Sequence, residues 1–471
     1  MAAQQERTCD VAVIGAGTAG IIAEKRARAA GAETLLIDAT FSGTTCADVG
    51  CMPSKLLIAA ADVAFGVSEA ECFGITATSR IDGAAVMQRL RRHRDRFVQG
   101  VRSGFSRLPE GTCLRGRARF TGPDTLELDD GTRIRARAIV IATGSEPAVP
   151  KPFRALGARV LTNRNLFDLP DLPESVGVIG AGAVGIELAQ ALARLGVRVE
   201  VFDAGRTLAG LPEGVSAELC RILSREFAIH QETEPRAEPD GEGLRLIREG
   251  GSARFDRLLV AAGRPPQLDA LDLEKAGLDL DDKGIPRFDP QTLQCGEQPI
   301  FIAGDANHER PLLHEAADEG AIAGENAARF PDLAKLKRPV PMAITFCRPD
   351  AAVIGTLPTE DNGLVTGCAD YARQGRARVM GRAQGICEIY ADRDGGRLRG
   401  AALCAPHGEH LAHELAWAIS CGLSASEMLD LPFYHPTLEE GLKPALRQIC
   451  ELAATSQGQR AGGDILPGDQ C

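Results

Sequence analysis

Residues 10–38 read DVAVIGAGTAGIIAEKRARAAGAETLLID. The apolar run at 10–15 predicts a buried parallel strand. Gly15-x-Gly17-x-x-Gly20 follows, then a helix-forming stretch at 21–30 and a second strand at 32–37 that ends in Asp38. Glycines at that spacing, between a strand and a helix, let backbone N–H groups approach a pyrophosphate at the helix N-terminus. An acidic residue closing the second strand accepts hydrogen bonds from a ribose hydroxyl. The stretch therefore predicts a dinucleotide-binding βαβ unit and an α/β fold.

The pattern then repeats. Residues 176–179 form a second apolar strand before Gly180-x-Gly182-x-x-Gly185, and residues 197–202 lead to Asp203. Gly15 to Asp38 and Gly180 to Asp203 are both separated by 23 positions. Residues 139–142 run into Thr143-Gly144-Ser145, and residues 258–262 run into Gly263-Arg264-Pro265 in the same way. Two fingerprints in the same context predict two Rossmann-like domains, linked by the proline-rich stretch that holds Pro147, Pro150 and Pro152. Asp203 favours NAD, because its charge repels the 2′-phosphate of NADP, while nearby Arg198 and Arg206 soften that repulsion.

Just beyond the first fingerprint, residues 43–55 read GTTCADVGCMPSK, with Cys46 and Cys51 five positions apart. Such a pair reads as a redox disulfide, as two unrelated thiols or as metal ligands. No second Cys/His pair with zinc spacing follows it. In an ideal helix, Cα atoms five residues apart lie about 8.6 Å from one another. A disulfide needs less than about 7 Å. The pair closes only if the helix is interrupted, and Gly50 offers the place for that.

A chain of 471 residues is too long for one core and predicts several domains. Its net charge of −11, with no basic block, argues against a nucleic-acid surface. The arginine-rich stretch 89–107 is interleaved with Phe97, Val98 and Phe105 and predicts a solvated amphipathic helix. The polar N-terminus lacks the basic and apolar regions of a signal peptide, and the apolar run at 11–23 is too short to span a membrane. With 14 cysteines, these features point to a reducing cytoplasm. His407, His410 and His413 recur every third residue, an invitation to a metal that no further ligand set supports.

GTTCADVGCMPSK resembles the active-disulfide motif of the FAD-dependent pyridine nucleotide–disulfide oxidoreductases, and its Met-Pro-Ser-Lys ending is nearest the dihydrolipoamide dehydrogenase branch. It departs from that pattern in having Gly43-Thr44 where two glycines are usual, and Asp48 where asparagine is usual. The resemblance extends over residues 8–455, with the fingerprints, Ala142-Thr143-Gly144, Gly304-Asp305 and His435-Pro436-Thr437 in the family's order.

The resemblance implies an FAD domain at 1–150, an NAD domain at 151–270, a return to the FAD domain at 271–338, an α+β dimerisation domain at 339–455 and a flexible tail at 456–471. It makes Cys46 the thiol that exchanges with substrate and Cys51 the thiol that meets the flavin. Around the FAD it implies Gly15, Gly17, Gly20, Asp38, Thr45, Lys55, Gly116, Ala142, Thr143, Gly144, Asp305 and His314. Around the NAD it implies Gly180, Gly182, Gly185, Glu187, Asp203 and Gly263, with Glu187 paired to Lys55. His435, held by Glu440, becomes the base that serves the cysteine pair of the partner subunit in a homodimer. Phe433 and Tyr434 stand where the dehydrogenases often carry a second histidine and a small residue. The expected substrate is dihydrolipoamide, free or on a lipoylated protein. The rivals are NAD(P)H-dependent reduction of another disulfide or a metal ion, and a slow redox sensor that binds both cofactors.

Overall fold

The computed structural model describes residues 6–335 and 338–453. Strand Glu6–Ile14 lies at the centre of the first sheet, parallel to Thr34–Asp38 on one side and to Arg133–Ile141 on the other. Val11, Ala12, Val13 and Ile14 are all buried, as a strand covered on both faces requires. Cys113–Arg115 extends the sheet beyond Thr34–Asp38. Arg133–Ile141 pairs antiparallel with Thr125–Leu128 through its first residues and parallel with Ile300–Ile302 through its last. The first sheet is thus completed by a strand that follows the second sheet in sequence.

The second sheet is parallel throughout, in the order Ala228–His230, Arg198–Phe202, Ser175–Ile179, Arg257–Val260, Val160–Leu161. A small antiparallel sheet of Arg236–Asp240, Gly243–Arg248 and Gly251–Phe255 stands beside it. The C-terminal unit is a five-stranded antiparallel sheet with helices Gly408–Cys421 and Lys443–Leu452 packed on it through Leu411, Leu415, Leu446 and Ile449. The architecture is two Rossmann-like units and a C-terminal α+β unit.

Helix α1 (Thr18–Ala29) follows the first fingerprint, and the two cysteines fall on α2 (Thr45–Asp48) and α3 (Cys51–Ser68). The Thr44 hydroxyl caps α2 by accepting from the Ala47 N–H. Pro53 is tolerated in the first turn of α3 because the N–H it lacks has no intrahelical partner there. By length and composition the segment Thr45–Ser68 is apolar enough to cross a membrane. It is broken between its two helices, however, and Leu57, Ile58 and Ala61 are buried against neighbouring helices. Those neighbours are α4 (Gly83–Phe105), which buries Met87, Leu90 and Val98, and the helix after the second fingerprint. That helix is α6 (Ala183–Arg194), which follows the single turn α5 (Lys151–Arg154).

Charged side chains tie the three units together along α3. Asp62 binds Arg194 of α6 at 3.1 Å and Arg348 of the C-terminal unit at 2.9 Å. Gln190 of α6 donates to the Arg348 carbonyl at 2.9 Å and accepts from its N–H at 2.7 Å.

Candidate redox site

The two fingerprint turns are built alike. Gly15 and Gly180 both have φ of +106°. A Cβ on Gly20 would lie 1.8 Å from the Gly15 carbonyl oxygen, and one on Gly185 would lie 1.9 Å from that of Gly180. The helix therefore starts against the turn only because the third glycine has no side chain. Asp38 accepts from the Ala16 N–H at 3.0 Å, and Asp203 accepts from the Ala181 N–H in the same way. Each aspartate thus clamps its own glycine turn. The second oxygen of Asp38 takes the N–H groups of Thr40 and Phe41, both at 2.8 Å, so its first oxygen is the freer one for a ribose hydroxyl.

A cavity of about 430 Å³ opens beside the first turn. Gly15, Gly17, Asp38, Thr45, Gly116, Ala142, Thr143 and Gly144 line it, together with Asp48, Glu146 and Arg164. The Thr143 hydroxyl is buried without a hydrogen-bond partner, a polar atom left for a bound group. Gly20 packs behind the turn instead. Asp305 stands one residue back from the cavity, accepting from the Ser145 hydroxyl at 2.6 Å. Its turn, Gly304–Asn307, is held by buried Glu319, which accepts from the Gly304 N–H at 2.7 Å and the Asn307 amide at 2.6 Å. His314 is exposed in the first turn of helix Leu313–Arg329, outside the cavity lining.

The helix is interrupted between the cysteines, at Val49 and Gly50. Gly50 has φ −126° and ψ −118°, and a Cβ there would lie 2.8 Å from the Thr45 carbonyl oxygen. This bend sets Cys46 beside Cys51 at the start of α3. The neighbouring Cys46 thiol, aided by the Lys55 ammonium and opposed by partial desolvation, lowers the Cys51 thiol to about 7, while Cys51 itself remains exposed. Cys46 is pushed the other way, first by the neighbouring Cys51 thiol and then by burial. The two shifts run in opposite directions, which makes Cys51 the more readily ionised thiol of the pair.

Lys55 reaches Glu187 of α6 at 2.7 Å, and its ammonium lies 4.2 Å from the centre of the Phe346 ring. Glu187 also accepts from the Phe346 N–H at 2.8 Å. The pair anticipated from the sequence is therefore a three-way junction of the redox helix, the second unit and the C-terminal unit. Gly182 and Gly263 face open space with nothing within 4 Å of a built Cβ.

At the far end of the chain, the ring Nδ1 of His435 lies 3.0 and 3.1 Å from the two oxygens of Glu440. Glu440 also takes the Thr437 N–H at 3.2 Å, which fixes the carboxylate under the ring. The ring itself is exposed, as is Tyr434 before it. Among the described residues of this single chain, no hydrogen bond or ion pair joins His435 to either cysteine. His407 and His410 stack with ring centres 6.1 Å apart, but no group of three or more His, Cys, Asp or Glu among the described residues is arranged to hold a metal ion. Cys471 and the tail from 456 lie outside the described residues.

A sequence profile described as pyridine nucleotide-disulphide oxidoreductase matches residues 9–320, and its dimerisation-domain profile matches residues 341–446. The chain belongs to the pyridine nucleotide-disulphide oxidoreductase family. It is 31% identical over 464 residues to the dihydrolipoyl dehydrogenase of Thermus scotoductus, covering 95% of this chain and 98% of that one. It is 30% identical over 459 residues to the Bacillus subtilis dihydrolipoyl dehydrogenase, covering 94% and 99%. The solved HOCl-induced flavoprotein disulfide reductase RclA from Escherichia coli, in its Cu(II) complex, superimposes with a TM-score of 0.81 at 22% identity, over 94% of this chain and 99% of that one. That likeness speaks for the fold. The cofactors of this enzyme class are FAD and NAD(H). The first-sheet cavity fits FAD, with a glycine turn for the pyrophosphate, a carboxylate for the ribose and the unpartnered Thr143 hydroxyl.

Reading from motifs alone missed several residues here. Glu319 sits inside an ordinary helical pattern. Glu146 and Arg164 pair across the cavity lining from separate loops. Asn163 donates its side-chain amide to the Val49 carbonyl at 2.7 Å. None has a spacing that announces it.

Proposed function

We propose that this enzyme oxidises dihydrolipoamide, or a closely similar dithiol, with NAD as acceptor, and that it works as a homodimer. The observation that carries the reading is the thiol pair itself. Cys51 is lowered to about 7 by Cys46 and Lys55, on a helix wedged against the unit that bears the second nucleotide fingerprint. Held at the Gly15–Gly17 turn, Asp38 and Thr143, FAD would supply the two-electron carrier between the cysteine pair and NAD.

The work of the protein is to move thiolates and protons. In the oxidised enzyme, one substrate sulfur attacks Cys46 of the Cys46–Cys51 disulfide, and Cys51 leaves as the thiolate that Lys55 steadies. The second substrate sulfur then attacks the first and releases Cys46, so the substrate departs as a cyclic disulfide and both enzyme sulfurs are reduced. Each attacking thiol must lose its proton. His435 of the partner subunit takes the first at Nε2, since Nδ1 is engaged by Glu440, releases it to solvent and then takes the second. The dimerisation-domain match supports that arrangement.

NAD is supported over NADP by Asp203 and by the engagement of both nearby arginines. Arg206 pairs with Glu213 at 3.2 Å, and Arg198 with Glu200 at 3.7 Å. The substrate assignment is supported by the relatives named dihydrolipoyl dehydrogenase, which align over nearly their whole length. A small substrate free in solution and a lipoylated protein both satisfy this chemistry, and the cysteine usage supports a reducing cytoplasm. The test is anaerobic NAD reduction by dihydrolipoamide, with glutathione and other thiols as comparison substrates. Turnover confined to dihydrolipoamide supports the assignment. A preference for another thiol, which the bulk of Tyr434 beside His435 would help explain, moves it elsewhere.

A further inference from the structure

The His435 ring is exposed, and among the described residues Glu440 is its one hydrogen-bond partner. With so little packed around the ring, its place is set by the backbone that carries it and Glu440. Part of that backbone is held from within, where the Thr437 N–H donates to Glu440 at 3.2 Å and the Thr437 hydroxyl to the Tyr434 carbonyl at 2.7 Å. The rest is held from a turn at residues 371–374, directly after strand Val365–Asp370 of the C-terminal sheet. The Gln374 amide donates to the Thr437 carbonyl at 2.6 Å, and the buried Tyr371 hydroxyl to the Leu438 carbonyl at 3.2 Å. The oxygen of the same Gln374 amide accepts from the Ala377 N–H at 2.7 Å and caps helix Gly375–Val379. With its nitrogen and oxygen both engaged, the amide has one orientation. Gly441, next to Glu440, packs against both anchors, where a Cβ would lie 3.0 Å from the Gln374 and Tyr371 side chains.

We propose that Gln374 is a positioning residue for His435, holding the Thr437 carbonyl so that the ring and its carboxylate keep their place toward the substrate sulfur. The inference rests on the reading of His435 as the base. Thr437 is the link, because its N–H goes to the carboxylate that orients the ring and its carbonyl goes to Gln374. Without the amide donor, that carbonyl is free to turn toward water, and the loop gains freedom at the residue Glu440 binds. Proton transfer needs the base within hydrogen-bond reach of the thiol, so this freedom slows the step that His435 serves. Hydride transfer from NADH involves no substrate thiol and does not depend on the loop.

Two routes are compared anaerobically in holoenzyme. In the first, dihydrolipoamide and the enzyme disulfide go to cyclic lipoamide and the enzyme dithiol, with two electrons and two protons passing to the enzyme. In the second, NADH and two ferricyanide ions go to NAD, a proton and two ferrocyanide ions, with no thiol substrate. Gln374→Glu loses the donor but keeps the acceptor that caps helix Gly375–Val379, and Gln374→Leu loses both without adding charge. Each is expected to slow the first route about tenfold and to leave the second within about twofold of the parent enzyme. In a His435→Gln background, Gln374→Leu is expected to change the residual first-route rate by less than about twofold, because its effect passes through the ring. Should Gln374→Leu fail to fold, Gln374→Glu carries the same comparisons. A first-route rate within twofold of the parent in either variant overturns the proposal. So does equal slowing of both routes, or a Gln374→Leu effect that persists in full without His435, as a merely structural role would give. A His435→Gln enzyme that reacts with dihydrolipoamide as fast as the parent overturns the reading of His435 as the base, and the positioning role with it.

Discussion

Replacing Lys55 by methionine is expected to make Cys51 a poorer thiolate, and replacing Glu187 by glutamine is expected to make it a better one. Lys55 stands four residues after Cys51 on α3, a spacing that places the two side chains about 6 Å apart. At an effective dielectric of about 20, a charge at that distance is worth about 2.8 kcal/mol to the thiolate. Glu187 lies 2.7 Å beyond the ammonium and acts with the opposite sign. At about 8 Å from the sulfur it cancels about 2 kcal/mol. Lys55 keeps about a third of its side chain exposed, and solvent screening roughly halves both figures. Lys55→Met should then raise the Cys51 midpoint from about 7 by about one pH unit. Glu187→Gln should lower it by somewhat less, and the double variant should return close to the parent enzyme. The assay is the rate of Cys51 alkylation by iodoacetamide in reduced holoenzyme between pH 5 and 9, resolved from Cys46 by fragmentation of the shared peptide. Near pH 6, Lys55→Met should react about tenfold more slowly. Superimposed profiles for the parent and Lys55→Met, or an upward shift in Glu187→Gln, would refute the electrostatic account of the pair.

Three further outcomes follow from the geometry. Gly20→Ala should greatly reduce flavin content, and Gly185→Ala should abolish nicotinamide binding while leaving flavin in place, because each new Cβ would collide with a turn carbonyl; absorbance and equilibrium dialysis read these separately. Asp350 is pushed up to about 7 by burial, against the pull of Arg348 and with Glu409 adding to the rise. Its folded-state value lies above the unfolded one, so the cost of its charge is absent below about pH 4, grows up to pH 7 and is complete above that. The stability of Asp350→Asn relative to the parent should therefore improve by about 2–4 kcal/mol from pH 4 to 7 in chemical unfolding, and a difference flat in pH would contradict this. Glu440→Gln should lower kcat more than about tenfold with flavin content unchanged, measured by steady-state kinetics, because the His435 ring loses the carboxylate that orients it.

The parts of the molecule legible from sequence are those in which chemistry fixes spacing. A pyrophosphate turn needs glycine where a Cβ would strike a carbonyl, so Gly15, Gly20, Gly180 and Gly185 show in the sequence and stand where expected. Distance alone requires a break in the helix if Cys46 and Cys51 are to meet, and the break falls at Val49 and Gly50. The Lys55–Glu187 pair came from resemblance, since nothing local links two residues 132 positions apart. Contacts made across units were illegible for the same reason. Asn163 reads as one polar residue in a turn, and only the fold sets its amide against Val49. Asp62, Arg194, Arg348 and Asp350 likewise become one network only after three units are packed together. His314 shows the opposite limit, since its place in the family motif gave it a cofactor role while the described chain leaves it exposed outside the cavity.

The most direct test of the central claim is anaerobic stopped-flow NAD reduction by dihydrolipoamide, using the parent enzyme beside Cys46→Ser and His435→Gln. The account predicts rapid NADH formation in the parent and its loss in both variants, with flavin content unchanged. A parent enzyme whose cysteine pair is reduced by NADH, yet which forms no NADH from dihydrolipoamide, would contradict it.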